Sequence, residues 1–127
     1  MQNLEQIRAR NTLAFAKSGA VSGKQGGEVI KKISPLVLNH GLLATAAYSF
    51  TEHEGWQKVF DAIALHLADP DIAILPADSR SRHAMMDYLS GPHASSETLK
   101  RATAETMAWL GYASRFVTKN TPDTQSE

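Results

Sequence analysis

The chain has 127 residues, with thirteen basic and thirteen acidic side chains and no cysteine. This length allows one domain with its own core and is too short to suggest two. Because the formal charge is zero, a polyanion would have to be held by a local patch of cations. The lack of cysteine excludes a disulfide framework, a thiolate zinc site and a cysteine nucleophile.

The N-terminal third of the chain predicts a helix, a loop and a second, short helix. A helical pattern extends from Asn3 to about Ser18, with Asn3 as its N-cap. These opening residues lack the apolar core of a secretory signal, so we expect a cytoplasmic protein. The glycine-rich segment from Gly19 to Gly27 predicts a mobile loop, and Glu28 to Ile33 predicts a short helix.

The stretch from Ser34 to Phe50 is the most apolar part of the chain, and it predicts one helix around which the rest packs. Ser34 can accept hydrogen bonds from the first free N–H groups, and Pro35 fits the first helical turn. The apolar side chains of this helix point in nearly every direction around its axis, which is typical of a buried helix. A membrane span would need about 20 apolar residues, and Asn39 to Gly41 interrupt the run. We expect Gly41 to allow a close helix approach, so that leucine there would overpack the core.

The middle of the chain predicts two further helices joined by an apolar loop. The first runs from about Glu54 to Ala68 and ends before Asp69-Pro70, because the residue before proline avoids helical angles. Ile72 to Leu75 predicts a loop docked on the core rather than a lone strand. Asp78 or Ser79 can cap the second helix, which extends to Leu89. The core-facing stripe of the first helix is Trp56, Val59, Phe60, Ile63 and Leu67.

The last helix begins near Ser95 and has the clearest amphipathic pattern. Its apolar side contains Leu99, Ala102, Thr106, Trp109, Leu110, Ala113, Phe116 and Val117. Its opposite side contains Arg101, Glu105, Tyr112, Arg115 and Lys119. The whole pattern predicts an all-α fold, a compact single-domain bundle of five to six helices over residues 1–119, followed by a frayed polar tail over 120–127.

The residues that could carry chemistry do not form a recognisable active site. The glycine-rich segment is not a phosphate-binding loop, because its glycines are one residue too close and Gln25 replaces the hydroxyl residue. A small hydrolase would need His83 and Asp87, or Glu52–His53, to meet in a cleft. The His83/Asp87 pair is more typical of a surface contact, and His40 of a core or interface histidine. We therefore expect no catalytic residue, no metal and no cofactor.

Three segments resemble the small helical subunit of the type III-B CRISPR RNA-targeting complex, the Cmr module. They are LEQIRAR at Leu4 to Arg10, NHGLLATAAYSF at Asn39 to Phe50, and TLKRATAETMAWLGYASRFV at Thr98 to Val117. In the closing helix, the family-like positions are Glu105, Trp109-Leu110 and Arg115-Phe116-Val117. The resemblance covers most of the chain in the same order.

The resemblance implies a non-catalytic subunit of a prokaryotic antiviral ribonucleoprotein. Such subunits stack on copies of themselves in a minor filament and line the groove that holds the guide RNA–target RNA duplex. The implied partners are other Cmr subunits, further copies of this chain and that duplex, with no membrane. Contacts to the RNA backbone are expected from Arg8, Arg10, Lys17, Lys24, Arg101, Arg115 and Lys119. A helical adaptor that binds only protein remains the alternative.

Overall fold

The structure, a computed structural model, describes residues 3–18 and 23–119, with only the backbone for 23–27 and 118–119. It contains α1 (Leu4–Ser18), α2 (Gly23–His40), α3 (Leu42–Ala47), a 3₁₀ turn (Tyr48–Phe50), α4 (Glu54–Leu67), α5 (Arg82–Leu89) and α6 (Ser96–Lys119). No strand occurs in these two ranges, and the prediction of an all-α single-domain bundle is confirmed. The polar tail predicted for residues 120–127 lies outside the described residues.

The first helix is capped by Asn3 and the last helix begins next to Ser95, as the sequence predicts. The Asn3 side-chain oxygen accepts from the backbone N–H of Gln6 at 2.9 Å, and the Gln6 side chain accepts from the backbone N–H of Asn3 in return. This reciprocal pair satisfies two N–H groups that α1 itself cannot use. At α6, the hydroxyl of Ser95 accepts from the backbone N–H of Thr98 at 3.1 Å.

Helix α2 runs through Pro35, so the predicted boundaries in this part of the chain are wrong. It begins at Gly23, inside the expected loop, whose residues Gly19–Ser22 lie outside the described part of the chain. The hydroxyl of Ser34 donates to the carbonyl oxygen of Ile30 at 3.5 Å instead of capping a helix. A proline inside a helix costs about 3 kcal/mol because it removes a backbone hydrogen bond. The packing of α2 offsets that cost, since Val29, Ile30, Ile33 and Val37 are buried along it.

A break at Gly41 divides the single helix expected from Ser34 to Phe50. Gly41 has φ 95° and ψ 163°, which lies outside the helical region, and α3 begins at the next residue. Because the helix axis is interrupted there, the apolar residues on the two sides do not share one buried cylinder. Leu38 is 74% exposed, and Phe50 is partly exposed, so the prediction of a wholly buried central helix is wrong.

The core is instead shared by α2, α4 and α6. All five residues of the predicted α4 stripe are buried, and the α6 residues Ala102, Thr106, Trp109, Leu110, Ala113 and Val117 are buried as well. Phe60 and Trp109 are the largest of the fully buried side chains. The other two residues of the predicted α6 stripe, Leu99 and Phe116, are half-buried against this core. The repeat at three- and four-residue spacing over several turns therefore indicated the core face of each helix.

The connection between α4 and α5 is an ordered loop, as the sequence predicts. Ile72 and Leu75 are buried against the core, and the carbonyl oxygen of Leu67 accepts from the backbone N–H groups of Ile74 and Leu75 at 3.0 Å. The predicted start of α5 is wrong, because Ser81 caps it in place of Asp78 or Ser79. The Ser81 hydroxyl accepts from the backbone N–H of Ala84 at 3.2 Å.

Candidate binding surfaces

A buried carboxylate on α6 holds α1 and α4 together. Glu105 accepts two hydrogen bonds from Arg8, from Nε at 2.8 Å and from Nη2 at 2.7 Å. The same carboxylate lies 2.9 Å from Nε2 of His66 on α4. Glu105 is only 6% exposed, so its predicted place on the solvent side of α6 is wrong. One carboxylate therefore contacts a cation and an imidazole from two other helices.

The hydrogen bonds continue from His66 to the surface. Since Nε2 of His66 faces a carboxylate, it carries the ring hydrogen, and Nδ1 accepts from the amide of Asn11 at 2.9 Å. The Asn11 amide also donates to Asp69 at 3.0 Å, and Arg10 Nη2 donates to the same carboxylate at 2.8 Å. We call these residues, together with Arg8 and Glu105, the polar network. It links α1, α4 and α6 and fixes a neutral His66.

Burial and hydrogen bonding set the charges in this network. Burial would raise the pKa of Glu105, but hydrogen bonds from Arg8 and His66 outweigh it and hold the pKa below its ordinary value. Burial lowers the pKa of His66, although the hydrogen bond to Glu105 opposes that shift. The stable state is therefore an ionised Glu105 beside a neutral His66 that is 2% exposed.

We expect the free energy of unfolding to be level above about pH 6.5 and to fall in more acidic solution. The lowered pKa of His66 means that the unfolded chain binds its proton first, so stability declines as the pH drops through the ordinary histidine range. Glu105 adds to the decline at lower pH, because its stabilisation is lost as the carboxylate is protonated. Urea unfolding between pH 4 and 8 measures this profile.

The variant that tests this profile is His66→Gln, and its matched control is His93→Gln, since His93 is exposed. The first substitution should remove the decline that begins near neutral pH, and the second should leave it unchanged. A His66→Gln protein that retained the same decline would contradict the role given to this ring.

A groove lies beside the polar network, between α1, α4 and the loop of residues 68–81 that joins α4 to α5. Its volume is about 540 Å³. Phe15, Leu65, Pro70 and Trp109 are among its apolar lining residues, and Asn11, His66 and Asp69 form its polar end. Leu65 is 48% exposed, so the groove is open to solvent.

The seven basic residues predicted to contact RNA have different surroundings. Arg8 and Arg10 are engaged by Glu105 and Asp69. Lys17 is exposed on α1. The side chains of Lys24 and Lys119 lie outside the described residues.

Arg101 and Arg115 form a separate exposed face on α6, which we call the arginine face. They are 14 residues apart, which places them about 21 Å apart along the helix and within about 40° around it. Neither forms an ion pair with any residue that the structure describes, in contrast to Arg8, Arg10 and Arg82. Lys100 is exposed next to Arg101, although the sequence pattern did not single it out.

The histidines considered for chemistry are placed separately in the fold. The ring of His83 contacts Phe50 with 4.8 Å between the ring centroids, and His53 caps α4 by accepting from the backbone N–H of Gly55. His40 is exposed at the end of α2, which excludes a core position.

Within residues 3–18 and 23–119, no three His, Asp or Glu side chains converge as a metal site. None of the helices described is long and apolar enough to cross a membrane.

The fold and these surfaces define a small all-α protein whose exposed features are an apolar groove and a cationic helix face. A family model described as CRISPR-associated protein (Cas_Cmr5) matches residues 4–119, and the chain belongs to this family. It is the family of the small subunit of type III-B CRISPR complexes, which confirms the resemblance found in the sequence. The curated proteins and the solved structures compared with the chain include no significant match.

Proposed function

We propose that this chain is a non-catalytic subunit of a type III-B antiviral ribonucleoprotein. In this proposal it stacks on copies of itself and contacts the backbone of the guide RNA–target RNA duplex through α6. Family membership supports the assignment to a Cmr complex. The specific RNA contact rests on one observation, which is that Arg101 and Arg115 are exposed on one face of α6 with no carboxylate partner among the described residues.

A contact of this kind suits a protein with zero formal charge. Two such arginines about 21 Å apart can each neutralise a phosphate, whereas the neutral molecule as a whole exerts no long-range attraction. Phosphate contacts carry no sequence information, which fits a complex whose specificity comes from base pairing with its guide. The isolated chain should therefore bind RNA weakly, and the contact should matter inside the assembled particle.

The remaining predicted contacts differ in the support they have. Arg8 and Arg10 already hold α1 against α6 and the end of α4, so we assign them to folding. Lys24 and Lys119 stay predictions. Lys17 is exposed on α1 and not on α6. We therefore assign the RNA contact to Arg101 and Arg115, with Lys100 beside them.

The test is the salt dependence of target RNA binding by particles reconstituted with variant subunits. For Arg101→Ala/Arg115→Ala, we expect weaker binding and a slope of log affinity against log salt that is smaller by about 1 for each phosphate that the variant no longer neutralises. The matched control is Lys31→Ala/Lys32→Ala, which removes two exposed positive charges from α2. Equal slopes for wild-type particles and the arginine variant would contradict the proposed contact and favour an adaptor that binds only protein.

A further inference from the structure

We infer that the groove between α1, α4 and the α4–α5 loop docks a short protein segment that carries an apolar side chain next to an acidic one. The inference rests on the proposed function, because it takes the partner to be another protein subunit of the same particle. It concerns a surface separate from the arginine face of α6.

The apolar part of the groove is accessible in the folded protein. Leu65 stands at its wall with 48% of its surface exposed, and Phe15 and Pro70 line it as well. An exposed leucine is ordinary by itself, but a leucine beside an aromatic ring in an open concavity offers the kind of pocket that receives an anchoring side chain. The volume of about 540 Å³ is enough for a few side chains and too small for a folded domain.

The walls of the groove are held in place before any partner arrives. The imidazole of His66 is fixed between Glu105 and Asn11, and the carboxylate of Asp69 accepts from Asn11 and Arg10. These bonds join α1 to the end of α4 among the residues that line the groove. Little entropy would therefore be lost in ordering this surface for a partner, which favours binding.

The charges that line the groove indicate that the partner segment carries an acidic residue. The lining residues include one carboxylate, Asp69, and Arg10 neutralises it. They also include Arg80, which forms no ion pair or hydrogen bond with any residue described in the structure. Asp78 is close in sequence but does not line the groove. The site thus presents this guanidinium beside apolar walls, and an acidic residue flanking an apolar anchor complements it.

An RNA strand would fit the same surface poorly. Single-stranded RNA is usually held by a row of cations together with exposed aromatic faces on which bases stack. Among its lining residues the groove offers one unpaired cation, Arg80. Its largest ring, Trp109, is 1% exposed and packs against Phe15 with 5.3 Å between the ring centroids. The indole face is therefore not available to a base.

The test places a photoreactive benzoyl-phenylalanine at position Leu65 in the tagged chain within the native particle and identifies the crosslinked peptides by mass spectrometry. The matched control carries the same group at Leu38, which is 74% exposed and does not line the groove. Position 65 should crosslink to a peptide of another subunit in which an apolar residue adjoins Asp or Glu. Position 38 should not give this peptide.

Charge reversal adds a second readout. Arg80→Glu and Leu65→Glu should each weaken retention of that subunit about tenfold or more, while circular dichroism and the melting temperature stay near the wild-type values because both residues are exposed. Replacing the partner's acidic residue by lysine should restore binding to the Arg80→Glu chain.

The outcomes separate the groove from the proposed function. The proposed docking of a protein segment would be contradicted if position 65 crosslinked to RNA or to another copy of this chain. It would also be contradicted if position 65 crosslinked no more than position 38, or if the Arg80→Glu chain retained the partner subunit at wild-type strength. A chain that gives the expected peptide but brings down no guide RNA would support the groove and contradict the ribonucleoprotein assignment.

Discussion

Replacing Glu105 by alanine should lower the free energy of unfolding by about 3–5 kcal/mol, since it leaves a partly buried Arg8 without its carboxylate and His66 without its acceptor. The geometry supports a large effect, because Glu105 is 6% exposed and accepts hydrogen bonds from both side chains. Urea unfolding at pH 7.5, monitored by the fluorescence of the two tryptophans, measures the change.

The matched control for this substitution is Glu54→Ala, which removes a carboxylate from the exposed pair with Lys58. It should cost no more than about 1 kcal/mol, because solvent screens such a pair and the favourable position of Glu54 in the first turn of α4 adds little. A second variant, Glu105→Gln, keeps the shape of the side chain and should lose less stability than alanine. If Glu105→Ala and Glu54→Ala behaved alike, the polar network would not support the fold as described.

Replacing Gly41 by alanine should destabilise the protein by about 1–3 kcal/mol, because residues with a side chain rarely adopt its backbone angles. The reason expected from the sequence, a close helix approach, is wrong. A Cβ placed on Gly41 would meet no other atom within 4 Å, so the cost comes from φ of 95° and not from overpacking. The same cost should therefore appear with alanine as with leucine.

Gly111 provides the control for Gly41, because it lies within α6 at a helical position where a Cβ would also meet nothing within 4 Å. Gly111→Ala should stabilise the protein by about 0.5–1 kcal/mol, since alanine loses less entropy in a helix than glycine. Thermal and urea unfolding of both variants measure the difference. Destabilisation by Gly111→Ala, or none by Gly41→Ala, would contradict the backbone explanation.

The bounds of the long amphipathic helices could be predicted well from the sequence, whereas the helix boundaries at Ser34-Pro35 and Gly41 could not. Helices α4 and α6 repeat apolar residues over many turns, so their bounds and core faces could be read directly. Ser34 and Pro35 have the pattern of a helix start but lie inside α2, because tertiary packing of that helix outweighs the lost hydrogen bond. Glycine is the usual residue where a helix ends with positive φ, but the apolar residues on both sides of Gly41 suggested that the helix continues.

The candidate surfaces could be predicted only in part for a related reason. Arg101 and Arg115 were found on the exposed side of α6 because the helix period places them there. Glu105 was assigned to the same exposed side but is buried. The residue pattern of α6 alone does not show that a cation on α1 pairs with this carboxylate. Arg8 and Glu105 are 97 positions apart, and no local signal connects them. The groove likewise depends on how α1, α4 and the loop meet.

Helix α6 contacts helices that are synthesised much earlier than it is. The last helix packs against α1 and α2 and supplies Trp109 and Leu110 to the core. A growing chain therefore exposes the apolar faces of its first two helices until α6 has left the ribosome. At about 5–20 residues per second, that interval is on the order of ten seconds for a chain of this length. Throughout that time, the apolar faces of α1 and α2 lack the helix that buries them, and they are the surfaces through which unfinished chains can aggregate.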